Sequence, residues 1–333
     1  MNLYEDKNRV FMQTIDRLSE LESSFAIPHD RNVLLVSGED ARTFLHGQIT
    51  VDVTHLENGQ VRRTGHCDPK GKSWSVNLIT PVDDALLITG HAVGVEASHA
   101  QFKKFGVFSK ITLEDVTTAF AAYFIKGAEA ESAVASVFGE LPDTTMSAIN
   151  TQAGLCIRLD LPDGGLLVLC KTDHLENLQQ ALSDQGITLY PPAVFEALQI
   201  QAGLPEISQP EHIGQFVPQM MNLQALNGID FKKGCYMGQE VVARTRYLGR
   251  NKRAAYVFRV DQAISGIEHM QLEKQLGEHW RGGGTILKAA TIGQESWILA
   301  VLSNDTTAED TFRLNENPDA QLIQCDLPYR LEE

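Results

Sequence analysis

Apolar residues follow two different periods along the chain. Residues 33–36 form an unbroken apolar run, Ser37 and Gly38 close it, and helical spacing begins soon after. A short run bounded by turn formers predicts a buried strand. The change of period predicts a helix behind it, with Ser37 as cap and Asp40 three residues on as the capping-box acid. Extended segments at 60–65 and 74–80 flank HCDPKGKSW, where Asp68-Pro69 and Gly71 predict a hairpin turn. Helical spacing returns at 93–105 and at 129–138, the latter stopped by Gly139 and Pro142, with strand patterns at 110–116 and 119–125 between them. Strands are expected again at 155–160 and 166–170, then a helix at 173–183 ended by Gly186. PAVFEALQIQAGLPE predicts a further helix whose Val194, Leu198 and 200–202 face inward.

Residues 207–231 break the pattern, and irregular stretches of this length in compact domains are usually functional or mobile. Beyond residue 253, strand-like segments at 255–260, 284–289, 296–302 and 321–325 alternate with Gly, Asn and Asp. They predict a small antiparallel barrel or sandwich. The triple glycine of RGGGT lacks the strand-then-helix context of a phosphate loop, so a hairpin turn is expected there. The predicted fold class is α+β, divided into residues 1–250, as two interleaved α+β subdomains, and residues 251–333, as a C-terminal antiparallel β-barrel. A chain of 333 residues has the length for more than one core.

Composition adds constraints. Hydrophobic residues at 43% and charged residues at 21% describe a soluble globular chain. MNLYEDKNRV carries both charge signs, and no run approaches the roughly 18 apolar residues of a membrane span, so a cytoplasmic location is expected and no membrane partner. Five cysteines lie 14 or more positions apart without a CxxC. That spacing supports neither a disulfide scaffold nor a cysteine-built metal site, and reduced thiols are expected. His66, Cys67 and Asp68 are consecutive and read best as a structural turn before Pro69, because neighbouring residues do not easily chelate one ion.

Charge changes the picture in one place. The net charge is −15, yet residues 231–253, FKKGCYMGQEVVARTRYLGRNKR, hold seven Lys or Arg against one acid, Glu240. A solvated helix face normally mixes signs, so Arg244, Arg246, Arg250, Lys252 and Arg253 read as a site for an acidic ligand or for RNA phosphate. Glycines flank Cys235 and Tyr236, and a helix is expected at 239–247. A thiol near a helix N-terminus and beside Lys232 and Lys233 would be driven toward thiolate. On the residues alone, a small buried hydrophobe is an equally good reading of Cys235.

FKKGCYMGQEVVAR, with GQFVPQMMNLQAL before it and RNKR after it, resembles the signature of the YgfZ family of folate-binding proteins, relatives of the T-protein aminomethyltransferase of the glycine cleavage system. GQITVDV, HCDPKGKSW and LPYRLEE resemble other family segments. The resemblance implies a T-protein-like architecture with a folate-sized central cavity, tetrahydrofolate or a derivative as ligand, and an accessory role for iron–sulfur enzymes, including ones that modify tRNA. Partners implied are iron–sulfur enzymes or assembly factors, with tRNA met indirectly. It implies Cys235 as the essential thiol and folate contacts at Phe195, Gln201, Gln239, Glu240 and Arg244. Some positions depart from the pattern. Ser75 or Val76 stands where the T-protein carries a carboxylate, Gln201 stands for a glutamate, and Arg31 and Phe195 stand where family members place tryptophans. Neither serine nor valine does a carboxylate's acid–base work, which disfavours aminomethyl transfer. Two other functions stay open: a folate-dependent one-carbon transferase, and a direct tRNA-binding module built on the basic stretch.

Overall fold

The structure is a computed structural model describing residues 12–249 and 251–331. MNLYEDKNRV, Arg250 and the last two residues of LPYRLEE lie outside the described residues. β1 (Phe25–His29) and β2 (Asn32–Ser37) are neighbours in sequence but enter different sheets. α1 (Ala41–His46), β3 (Arg62–Cys67), β4 (Ser73–Val82), β5 (Ala85–Gly90), α2 (Ala92–Phe105) and β6 (Thr112–Asp115) follow. These strands form an antiparallel sheet of order β3-β4-β5-β2-β6. Leu34, Val36, Phe44, Leu45, Ile88 and Phe102 fill the space beneath α1 and α2.

The next elements are β7 (Phe120–Lys126), α3 (Ala128–Phe138), β8 (Ser147–Thr151), β9 (Gly154–Arg158), β10 (Leu166–Lys171), α4 (Leu175–Asp184) and β11 (Thr188–Leu189). Together with β1 they make a sheet of order β11-β1-β7-β10-β9-β8, antiparallel except where β1 meets β11. Tyr123 and Ile125 pack with Val134, Phe138 and Leu178 of α3 and α4, whereas Phe124, Leu167 and Leu169 belong to the central core. Both faces of this sheet are buried, so its strands are apolar runs without alternation.

α5 (Pro192–Gln201) starts with Pro at its first helical position, where a missing N–H costs nothing. Its Val194, Phe195, Ala197 and Ile200 are buried, and full burial of a Val, Ile or Phe side chain contributes about 1.5–3 kcal/mol. α6 (Gln239–Tyr247) comes after a long irregular stretch with two short 3-10 turns. β12 (Arg253–Val260), β13 (Leu272–Leu276), β14 (His279–Ile292), β15 (Glu295–Ser303), β16 (Phe312–Leu314) and β17 (Ile323–Cys325) form the antiparallel C-terminal sheet of order β16-β13-β14-β15-β12-β17. A buried ionic cluster ties it to the rest of the chain. Lys288 of β14 reaches Gln199 at 2.7 Å, Glu206 at 3.0 Å and Glu196, while Arg31 meets Glu206 at 2.5 Å.

Three expectations need correcting. Ser37 does not cap a helix; it ends β2, paired with Thr112, and α1 begins after Asp40, whose carboxylate accepts from the Lys110 amide at 2.7 Å. RGGGT is not a turn but lies inside β14, where a Cβ on Gly284 would stand 2.3 Å from Leu302 Cδ2. Glycines inside a strand mark such close approaches. Gln201 does not face inward with Val194 and Ile200; it is exposed at the end of α5. β1, β5, β8, β11, β13 and β16 have no counterpart among the sequence expectations.

Candidate functional site around Cys235

The C-terminus of α1 supplies the floor of the site. A helix end leaves carbonyls without partners, and here a buried lysine supplies the donor. Lys233 Nζ donates to the carbonyls of His46 (2.7 Å), Ile49 (2.7 Å) and Val51 (2.8 Å) and lies 4.9 Å from the centre of the Tyr236 ring. Burial pulls its pKa down to about 7, against the upward pull of the Asp52 and Asp230 carboxylates. The sequence reading put this charge beside the thiol; in the structure the ammonium turns inward onto α1.

Further bonds fix the loop that follows. The Met237 amide donates to the Gly47 carbonyl at 3.0 Å, and the Asp230 amide to that of Thr50 at 2.9 Å. Asp230 in turn accepts from the Asp52 amide (2.7 Å) and from Arg62 (2.8 and 3.2 Å). The other wall is the β3–β4 hairpin tip, where Asp68 Oδ1 accepts from the amides of Lys70 and Lys72, both at 2.8 Å. Gly238 has φ +80°, and a Cβ there would lie 2.5 Å from the Asp68 carbonyl and 2.8 Å from Gly71 Cα. Only glycine permits this backbone contact. GQITVDV, HCDPKGKSW and KGCYMGQE, far apart in sequence, therefore meet here.

Cys235 is exposed where these segments converge, while Cys67, Cys156 and Cys170 are buried and Cys325 is half-buried. Burial pushes the Cys67 thiol up to about 12 and the Cys170 thiol up to about 11, and it raises Cys156 and Cys325 as well. Thiols held in that state are poor nucleophiles near neutral pH.

The sequence-predicted residues fall into two groups. Gln239 opens α6 and is half-buried; Glu240 and Arg244 are exposed on the next turns and pair with each other at 2.6 Å. These three lie on the helix that follows the thiol turn. Phe195 is 1% exposed, stacked on Phe124 (centroids 4.8 Å, 24° between planes) and packed on His29 at 4.4 Å. Gln201 lines a cleft of about 360 Å³ with Phe124, Leu161, Leu198, Leu327 and Pro328, so Phe195 stands one ring behind that cleft's wall. Arg31 is engaged by Glu206 and exposes no charge. Ser75 is buried, 2.6 Å from Ser98 Oγ and accepting from Asn77 at 2.8 Å; Val76 is core.

His66 is also structural: it is buried, stacked on Phe102 at 4.4 Å, bonded to Ser98 at 3.0 Å, and pushed down to about 3 by burial. Among the described residues, Arg244, Arg246, Lys252 and Arg253 spread along the exposed end of α6 and the start of β12. Arg246 lies over the Phe231 ring at 4.3 Å, and it lines a cleft of about 570 Å³ with Thr245, Tyr247, Asn251 and Asn304. Sequence reasoning missed His46, Asp52 and Asp230, although Asp52 sits inside GQITVDV and could have been found there.

Comparison with known proteins agrees with this architecture. Residues 251–317 match the family model for the YgfZ beta-barrel domain. The chain is 34% identical over 316 residues to the tRNA-modifying protein YgfZ of Yersinia enterocolitica, covering 95% of each chain. It is 35% identical to that of Serratia proteamaculans, covering 91% of this chain and 92% of the relative. The Pectobacterium carotovorum protein of the same name is 36% identical, with 88% of each covered. Among solved structures, the glycine cleavage system aminomethyltransferase T from Bartonella henselae superposes with a TM-score of 0.68 over 93% of this chain and 87% of its own, at 14% identity. The fold is thus that of the T-protein, and the identity to curated relatives across nearly the whole length establishes that this chain belongs to the YgfZ family.

Proposed function

We propose that the chain is an accessory protein of tRNA modification that supports iron–sulfur enzymes, binds folate, and works through the Cys235 thiol. The observation that carries this reading is the convergence of three distant segments on one exposed cysteine, held by backbone hydrogen bonds and a backbone-to-backbone glycine contact. The relatives' name, tRNA-modifying protein, supplies the pathway.

For folate, the support is the cleft beside Gln201. Its volume falls in the roughly 300–1,000 Å³ range of small-ligand sites, and its walls are mostly apolar. A pterin there would pack on Leu161, Leu198 and Leu327, with the buried Phe124 and Phe195 rings behind them, and hydrogen-bond to the Gln201 amide. Gln239, Glu240 and Arg244 do not line this cleft, and in this reading they belong with the thiol. Aminomethyl transfer is the weaker alternative, because a buried Ser75 hydroxyl shared with Ser98 and Asn77 offers no ionisable group for acid–base work.

Deleting the gene from its host should lower specific modified nucleosides in bulk tRNA, and restoring it should recover them, as measured by nucleoside mass spectrometry. An unchanged nucleoside profile would overturn the pathway assignment. Tetrahydrofolate should raise the melting temperature of the wild-type chain, and Gln201→Ala should weaken that binding by about 1 kcal/mol, the worth of one hydrogen bond. Equal binding by both proteins would move folate elsewhere.

A further inference from the structure

We infer that His46, oriented by Asp52, accepts the proton of the Cys235 thiol, so that the exposed turn presents a thiolate. The inference deepens the reading of Cys235 as the working group and rests on it. His46 Nδ1 lies 3.0 Å from Asp52 Oδ1. A carboxylate only accepts, so Nδ1 carries the hydrogen and Nε2 keeps its lone pair. Nε2 is turned toward the thiol loop: a Cβ built on Gly234 would stand 3.1 Å from it, the nearest neighbour at that glycine. Gly234 has no special backbone angle, so a larger side chain there would press only on the imidazole.

The loop is anchored to His46 and Gly47 on both sides of the thiol. Lys233 Nζ holds the His46 carbonyl, the Met237 amide holds the Gly47 carbonyl, and Cys235 is the middle residue between them. Consecutive Cα atoms are about 3.8 Å apart, so the backbone of Cys235 lies one residue from the point that Nε2 approaches. Among the described residues no hydrogen bond joins Sγ to Nε2; catalytic hydrogen bonds are often long in unliganded sites and tighten when substrate arrives.

Asp52 is itself fixed. Its Oδ1 accepts from the Thr54 amide (2.8 Å) and hydroxyl (2.6 Å), and its Oδ2 meets His55 at 3.1 Å. Burial would raise its pKa, but these hydrogen bonds and the nearby His46 hold it well below the usual carboxylate range. It stays an anion, suited to stabilising an imidazolium. The other titratable groups around the site are Lys233 and Tyr236 on the loop, Asp230 with Arg62 behind Asp52, exposed Lys232, and Asp68, Lys70 and Lys72 on the hairpin tip. In the step proposed, the S–H bond breaks and an Nε2–H bond forms. The sulfur keeps the electron pair for attack on an electrophile, and the imidazolium charge is balanced by Asp52. The arrangement follows the logic of a nucleophile, a base and an orienting acid.

The test is the pH–rate profile for alkylation of Cys235 by iodoacetamide in the full chain, followed at the Cys235 peptide by mass spectrometry. If the imidazole takes the proton, the wild-type profile should carry a limb below the roughly 8.5 of a lone thiol. His46→Gln should slow alkylation at pH 7 about tenfold and move the limb toward 8.5, and Asp52→Asn should slow it severalfold. Circular dichroism identifies which variants fold; the Lys233 bond to the His46 carbonyl survives both changes because it is to backbone. An unaltered profile in a folded variant would overturn the inference. So would a low-pH limb that persists in His46→Gln, since Lys233 would then be its source. If Cys235→Ala kept full tRNA modification while His46→Gln slowed alkylation, the working-group reading would fall and this proton transfer would stand.

Discussion

Lys233 carries the clearest lesson at the scale of single residues. Read along the chain it is one of seven basic residues around a thiol; in three dimensions its charge ties the loop to three carbonyls of another segment. Partners 182 to 187 positions away leave no trace in local pattern. Replacing it with Met would leave those carbonyls unpaired, at about 1–3 kcal/mol for each buried group left unsatisfied, so Lys233→Met should lower the urea midpoint substantially. Loss of less than about 0.5 kcal/mol would show that water replaces the ammonium. His29 and His66 give a pH prediction. Burial pushes both down to about 3, with Arg31 adding to the effect at His29, whereas in the unfolded chain they titrate near 6.5. Between those values the unfolded chain binds the extra protons. Stability should therefore fall as pH drops below about 6.5, by up to about 1.4 kcal/mol per pH unit for each histidine. Urea midpoints at pH 5 and 6.5 measure it, and equal midpoints would contradict neutral buried imidazoles.

At the scale of elements, the periodic signals were legible and the contacts between turns were not. The helices at 93–105 and 129–138 and the hairpin around HCDPKGKSW appear almost as the spacing predicts, because burial of one face repeats along the chain. β1 was missed because its FAIPH is short, carries Pro28 and is buried throughout. The meeting of the hairpin tip with the start of α6 depends on Gly71 and Gly238, and a lone glycine looks alike in a turn and in a close contact. Gly238→Ala combines a left-handed backbone with a Cβ 2.5 Å from the Asp68 carbonyl, and should cost more than the roughly 1–2 kcal/mol of the backbone strain alone. Gly249→Ala, with φ +58° and open space around it, should cost only that strain. Amide hydrogen exchange at residues 68–72 should quicken in Gly238→Ala and stay unchanged in Gly249→Ala. Equal behaviour of the two variants would mean the tip is not held by α6.

For the whole molecule, the family is legible in the KGCYMGQE stretch, while the spatial separation of the residues expected to contact folate is not. Phe195, Gln201, Gln239, Glu240 and Arg244 were grouped by resemblance, yet packing puts Phe195 in the core and separates the Gln201 cleft from α6. The C-terminal sheet is fastened to α5 by Lys288, which meets Glu196 and Gln199, and to the segment behind α5 by Glu206, itself paired with the buried Arg31. Glu206→Gln leaves the buried Arg31 guanidinium without its carboxylate, while Lys288 keeps Glu196, and should destabilise by about 3–5 kcal/mol in denaturant unfolding. A change near zero would mean that the sheet docks by its apolar face alone. Whether the proposed working thiol carries the function is tested most directly by Cys235→Ala. The variant should melt with the wild type, within the roughly 0.5 kcal/mol typical of surface substitutions, and yet fail to restore modified nucleosides in cells lacking the gene. Full restoration by a stably folded Cys235→Ala chain would contradict the account.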